Sequence, residues 1–448
     1  MNKLIVKYIT IPLWEFGSGR KRLKYLSDLE KSQYLPKEKL EELQNNRLNR
    51  IIQHAYDNVP YYHQLFNKIG IKPSDIQTKE DLQKIPILTK EIIADHFEEL
   101  KAGNMDDFNP KLYSTGGTSG RHLQFYTTQS TFDSHMAAAY RAWRWCGWDF
   151  GEKYAYIWGA SMDLKDENTI KKKIKNFLTE NRLLIQGLKF TEQSLEGDCK
   201  RLANFKPDYI ITYPSAVIVV IRYMKSKKME IKLKGVITSS EKLFSWQRKL
   251  IEGFFKCKVY DDYGGRESSI RATQCEKCEG YHISVENGII ETVRNGKNVI
   301  GKPGRVLLTE FNNFAMPLIR YENTDVATLS NKKCNCGRSL PLLKDIQGRV
   351  SDIFVTADGR YIPAQCLMVA FLDFTGEFYQ VIQENKDEII IRIVKGKHFE
   401  SINLDGIKKI LKQWLGEKTA IKIEFVKEIP LTPQGKRRYF ISKVPLDF

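Results

Sequence analysis

Between Tyr113 and Thr128 the chain reads YSTGGTSGRHLQFYTT, and these residue types suit the wrapping of an anion. Gly116, Gly117 and Gly120 permit positive φ and close backbone approach, while Ser114, Thr115, Thr118 and Ser119 add hydroxyls that can reach phosphate oxygens. Taken alone, such a run is more often a plain surface turn. No Lys-Ser or Lys-Thr follows the last glycine, so the Walker pattern does not fit. Four further segments carry chemistry-bearing residues. In VYDDYGGRES (Val259 to Ser268), Tyr263 stands between Asp262 and Gly264, where a ring can stack on a base, and Glu267 offers a carboxylate for Mg²⁺. RYENTDVATL presents Asp325 after a turn, and a carboxylate suits the paired hydroxyls of a ribose. IQGRVSDIFV sets Arg349 at a change of pattern, and LTPQGKRRYF carries Lys436 on a tight glycine-containing loop. Each has a bland alternative as a cap or a surface charge, and a lone lysine is usually solvated.

The chain has eight cysteines, of which Cys146, Cys199, Cys257 and Cys366 are isolated and read as small buried hydrophobes. The others form two close pairs, CEKC at Cys275 and Cys278 and CNC at Cys334 and Cys336. Four thiolates so spaced suit a tetrahedral structural Zn²⁺, with His282 as a substitute ligand.

The elements that must position these groups follow from periodicity. Apolar residues from Pro36 to Ile69 recur at helical spacing (Leu40, Leu43, Leu48, Ile51, Ile52, Ala55), so the first hundred or so residues are mainly helical. From Tyr154 onward short apolar runs, YAYIWGA, YIITYPS, GVITSSE and CKVYDDYGG, alternate with helices. That pattern predicts an α/β layer of mainly parallel strands, whose ligands bind at the carboxyl ends. Beyond Gly348 the style changes to FYQVIQE, EIIIRIV, an amphipathic helix and IKIEFV, a small α+β module. We place the boundary so that 1–348 is a large domain, with the cysteine-bearing excursion at about 271–340, and 349–448 a small one.

Composition is that of an ordinary soluble protein, 42% apolar and 28% charged. The formal charge of +17 suits an anionic partner, but no nucleic-acid motif accompanies it. No apolar run of membrane-spanning length occurs, and the basic, aromatic N-terminus lacks a signal-peptide pattern, so a cytoplasmic chain is expected. YRAWRWCGW (Tyr140 to Trp148) and YIWGAS (Tyr156 to Ser161) are aromatic enough to line a pocket, although such clusters more often form core.

In order, IPILTK, STGGTSGRHLQFY, TYPS, TSSE, YGGRE, AMPLIRYENTD, QGRVSD and PQGKRR resemble the adenylate-forming superfamily of acyl-CoA synthetases. The resemblance is closest to its phenylacetate-CoA ligase branch, including the CapK-like proteins of capsular polysaccharide gene clusters, and it spans essentially the whole chain. It implies a large α/β domain with layered sheets and a small α+β lid. It implies ATP, Mg²⁺, a small carboxylic acid and coenzyme A as reactants, with a carrier thiol or sugar amine as alternative acceptor, and leaves a homodimer open. By position, Thr115 to Ser119, with Gly120, would surround the ATP phosphates, and Ser239, Ser240 and Glu241 would line the adenine and acyl side. Asp262, Tyr263 and Gly264 would contact the adenylate, Glu267 Mg²⁺, Asp325 and Arg349 the ribose, and Lys436 the α-phosphate and carboxylate oxygens. The chain departs from the family at His122, where proline is common, at Ser351, where an aspartate often acts as hinge, and at Leu431, where arginine is common. A nucleotide-binding protein of the same fold without turnover is the rival reading.

Overall fold

The computed structural model describes residues 2–115, 123–158, 179–187, 192–349, 353–371, 374, 377–396, 399, 404–431 and 437–445. Helices come first, with Arg22–Ser32, Lys37–Asn58 and Pro60–Ile69 the main ones before the first strand. Pro60 starts the last of these at its first position, where its missing N–H costs nothing, and Gly70 at φ 71° ends it. Their apolar stripe (Leu48, Ile51, Ile52, Tyr62, Phe66) buries against Leu123, Phe125, Met316 and Tyr321.

Twelve strands form one sheet that changes character half-way. Arg182–Gln186, Tyr154–Trp158, Tyr209–Thr212, Gly235–Ser239 and Lys258–Gly264 run parallel, side by side in that order. Lys258–Gly264 then pairs antiparallel with Arg271–Gln274. Tyr281–Ile283, Leu342–Arg349, Tyr321–Ser330, Gly304–Glu310, Gly288–Arg294 and Lys297–Asn298 continue the sheet antiparallel. The parallel strands read as near-continuous apolar runs because helices Glu192–Phe205, Pro214–Ser226 and Ser245–Phe255 cover them.

A separate four-stranded sheet follows, in the order Ala420–Phe425, Glu388–Val394, Phe378–Asn385, Phe440–Ser442. Helix Leu404–Leu415 packs Ile407, Leu411 and Leu415 onto it. Phe244 and Trp246 of the large sheet's helical layer join this second core, and Arg222 Nη1 donates to the Glu377 carbonyl at 3.3 Å. The helix-and-sheet modules expected from periodicity are therefore present, as an α/β body and a smaller C-terminal sheet.

Candidate active site

Strands Lys111–Thr115 and Leu123–Thr127 pair antiparallel, with Thr115 opposite Leu123. The Gly116 to His122 stretch between them, including Thr118, Ser119 and Gly120, lies outside the described residues. The hairpin is anchored where its position matters. The Asn313 amide donates to the Tyr126 carbonyl at 2.8 Å, and the Tyr126 N–H meets Met316 Sδ at 3.4 Å. Thr128 caps helix Gln129–Trp145 by accepting from the Thr131 N–H. IPILTK docks on the same region: Leu88 bridges Tyr321 in parallel, and the Ile85 carbonyl accepts from Arg320 Nη1 at 2.5 Å. That motif thus positions the backbone leading into Asp325.

At the carboxyl end of Lys258–Gly264, Tyr263 Oη donates to Asp325 Oδ2 at 2.7 Å. Asn323 Nδ2 donates to both, at 2.7 Å to Tyr263 Oη and 3.0 Å to Asp325 Oδ2. Asn323 Oδ1 in turn accepts the Asp325 N–H at 3.1 Å. Burial, and then the Asp325 carboxylate, raise the Tyr263 phenol well above its ordinary range, so it stays a donor. Sequence reasoning passed over Asn323. Its signal was an Asx residue two positions before the aspartate, the spacing of a side-chain-to-backbone turn. Thr324, at φ 69°, holds a left-handed backbone unusual for a β-branched residue. Arg349 stands directly opposite Asp325 in the ladder.

Gly265 lies against Glu267: a Cβ there would sit 2.6 Å from Glu267 Oε2, so a side chain would displace the carboxylate. Two of the expected nucleotide-site residues, Asp262 and Ser239, fasten their own surroundings. The Asp262 carboxylate is buried against the Arg271 guanidinium and accepts from Thr273 Oγ1 at 2.6 Å. Arg271 Nη1 also donates to His135 Nε2 at 2.7 Å, and an arginine cannot accept, so that nitrogen carries no proton. His135 Nδ1–H therefore donates to the Ser268 carbonyl at 3.2 Å. Burial, then the Arg271 charge, push the His135 pKa down to about 3. This chain ties the helix after the hairpin to the YGGRES turn.

Ser239 Oγ donates to the Asp262 carbonyl at 2.7 Å. Glu241 accepts from the Ser215 N–H at 3.0 Å and Ser215 Oγ at 2.9 Å, at the start of helix Pro214–Ser226. TSSE and TYPS are thus one joined unit, with Ser240 held at φ 69°. Arg437 and Tyr439, just after Lys436, lie near enough to Glu241 to feel its charge. Lys436, Ser351 and Asp352 lie outside the described residues.

Among the aromatics, Tyr140, Trp143, Trp148, Phe150 and Tyr154 form interior core. Trp158 and Tyr213 meet at 4.3 Å between ring centroids, each at the carboxyl end of a parallel strand, Tyr213 inside the core and Trp158 partly buried against it.

Four metal-ligating atoms, from Cys275, His282, Cys334 and Cys336, all lie within 4.8 Å of one another. Cys275 Sγ is 3.6 Å from Cys334 Sγ, and Cys336 Sγ is 3.3 Å from His282 Nε2. A tetrahedral Zn²⁺ with Zn–S bonds near 2.3 Å sets sulfurs about 3.8 Å apart and sulfur and nitrogen about 3.5 Å apart, so this donor set fits the ion. Burial, then Arg338, lower the His282 pKa to about 4, keeping the imidazole in its ligating neutral form. The expected ligand Cys278 stands apart from this group: at φ 55° its thiol turns back to the Cys275 carbonyl at 3.3 Å and packs toward the aromatic core. His282 joins the group through strand Tyr281–Ile283, which pairs with Leu342 and Leu343.

The twelve-stranded mixed sheet with a smaller C-terminal sheet is the fold of solved adenylate-forming ligases. A solved 2-hydroxyisobutyryl-CoA ligase in its postadenylation state matches with a TM-score of 0.74 at 18% identity, covering 92% of both chains. Within that class, residues 354–443 match the CapK C-terminal domain family. The chain is 26% identical over 420 residues to Protein CapK of Staphylococcus aureus, covering 90% of this chain and 89% of that one. It is 21% identical over 435 residues to phenylacetate-coenzyme A ligase of Thermus thermophilus, covering 90% and 94%. The resemblance read from the motifs holds.

Proposed function

We propose that the chain is an ATP-dependent carboxylate ligase. A carboxylate oxygen attacks the α-phosphorus of ATP, pyrophosphate leaves, and a thiol then attacks the acyl carbon with release of AMP. The observation that carries this reading is the Tyr263–Asn323–Asp325 cluster, whose 2.7 Å hydrogen bond fixes a carboxylate against a ring at the carboxyl end of Lys258–Gly264. Asp325 suits the ribose hydroxyls, Tyr263 the adenine face, and Arg349 a ribose contact from the neighbouring strand. Glu267 would hold Mg²⁺, which offsets phosphate charge in the displacement. The Gly116 to Gly120 stretch would hold the departing pyrophosphate, and Lys436 would neutralise the α-phosphate. Trp158, partly buried at the end of its strand, suits one wall of an acyl pocket.

Coenzyme A is the acceptor favoured by the phenylacetate-coenzyme A ligase relatives, since the same chemistry in them uses that thiol. The CapK match over residues 354–443 favours a second reading, a carrier thiol or sugar amine in a polysaccharide pathway. Zinc at Cys275, His282, Cys334 and Cys336 would be structural, since four protein ligands leave no open position. Pyrophosphate release measured across a panel of carboxylic acids, with and without coenzyme A, separates adenylation from transfer. Lys436→Ala is expected to lower acid-dependent pyrophosphate release at least a hundredfold, by loss of a transition-state charge contact on the order of 3 kcal/mol. ATP binding with no acid-dependent release across the panel would favour the rival non-catalytic protein.

A further inference from the structure

We propose that the N-terminal helical segment docks the protein onto an anionic membrane surface, laying its apolar face among lipid headgroups with basic side chains against their phosphates. Residues Lys3 to Ser18 run as one helical segment, through a π turn at Val6–Thr10. Its polar contacts point inward. Lys7 Nζ donates to Asp149 Oδ2 at 2.5 Å, Lys3 Nζ lies 3.3 Å from Glu152, and buried Glu15 pairs with Arg22 at 2.5 Å. Outward it shows Leu4, Ile5, Tyr8, Ile9, Leu13 and Phe16, with Leu13 66% and Phe16 90% exposed. These six are nearly half of the thirteen large apolar side chains exposed among the described residues. Apolar side chains scattered singly over a surface need no explanation, but six on one helix do. Phe132, 41% exposed, extends the patch across the Arg20 guanidinium, which lies 5.2 Å from its ring.

Charge selects the occupant. From Asn2 to Tyr25, four of the six basic side chains pair with carboxylates (Lys3 with Glu152, Lys7 with Asp149, Arg20 with Asp133, Arg22 with Glu15), which leaves the basic border to Lys21 and Lys24. Lys21 and Lys24 are exposed on the stretch that follows the apolar face. An apolar helix face with a basic border suits anionic lipid, which supplies both the apolar depth and the counter-charge. A second copy of this chain would bring an apolar face but no counter-charge, because each copy carries +17 and would set like charge against like.

The test is flotation of the full chain with phosphatidylcholine vesicles and with vesicles containing phosphatidylglycerol. We expect binding to the anionic vesicles alone, weakened by salt once screening shortens to a few ångströms, about 3 Å near 1 M. Leu13→Glu with Phe16→Glu should reduce binding at least tenfold, and Lys21→Glu with Lys24→Glu should do so independently if the first pair misfolds. Ile300→Glu, at an exposed apolar position elsewhere, should leave binding unchanged. Thermal melting and pyrophosphate release report that each variant is folded. The proposal is overturned if the wild-type chain ignores both vesicle types, or if folded variants bind as well as wild type. A dimer seen by light scattering that the Leu13 and Phe16 changes dissolve would overturn it in favour of a second copy.

Discussion

Asn323 touches Tyr263 Oη, Asp325 Oδ2 and the Asp325 N–H, so one amide orients the two groups proposed to hold the nucleoside. A hydrogen bond to a charged group contributes about 1.5–3 kcal/mol. Asn323→Ala should therefore raise the KM for ATP about tenfold or more, with little change in melting temperature because the site is half-buried. Steady-state pyrophosphate release gives the first quantity and a thermal melt the second. His135 makes a different kind of prediction. Its folded pKa of about 3 lies below the unfolded value near 6.5, so the unfolded chain takes up a proton first as pH falls. Its contribution to stability is full above pH 6.5 and declines toward pH 3, by about 1.4 kcal/mol per pH unit. Urea unfolding at stepped pH should show a shallower decline for His135→Gln, whose amide can still accept from Arg271 and donate to Ser268.

The clearest case at the level of elements is the cysteine excursion. The two cysteine pairs were legible as a metal signal, and three of the four thiols do meet. His282 was legible only as a substitute ligand, and what sequence could not weigh is that the CEKC turn sends Cys278 away while a strand register delivers His282 to the three thiols. Elemental analysis of protein purified without chelator should find about one zinc per chain. Cys334→Ser should lose it and melt lower, whereas Cys278→Ser should keep it; zinc loss in Cys278→Ser and not in His282→Gln would refute the ligand set. The same division holds for the motifs. TSSE and YGGRES were readable as strand-end segments, yet Ser239 and Asp262 use their polar atoms to fasten neighbouring backbone and Arg271. Residue type alone does not separate a group that faces the ligand from one that fastens the segment beneath it.

For the whole molecule, Phe244 is one of the contacts between body and C-terminal module, with its ring 6.3 Å from that of Phe440. Adenylation as proposed needs the Lys436 loop held over the body, so Phe244→Ala should slow pyrophosphate release several-fold. Its melting temperature should fall by only a few degrees, since a partly buried ring at a domain edge is removed rather than one in a core. Equal rates for Phe244→Ala and wild type would separate this contact from catalysis.

The sequence by itself determined the sequence of helices and strands, the change of pattern after Gly348, the carriers of chemistry and the superfamily they resemble. Those properties are local: periodicity, turn residues and short motifs are written in neighbouring positions. Tertiary structure decided which of those carriers share a site. Tyr263 and Asp325 meet across 62 positions because antiparallel registers in the large sheet align their strands, and Cys336 meets His282 across 54 because it lies in the loop leading into the strand that pairs with His282. It also decided that the aromatic run from Tyr140 to Trp148 is core, and that the N-terminal helix turns its apolar face to solvent. Which face of an element is covered depends on what packs against it, and that partner is distant in the chain.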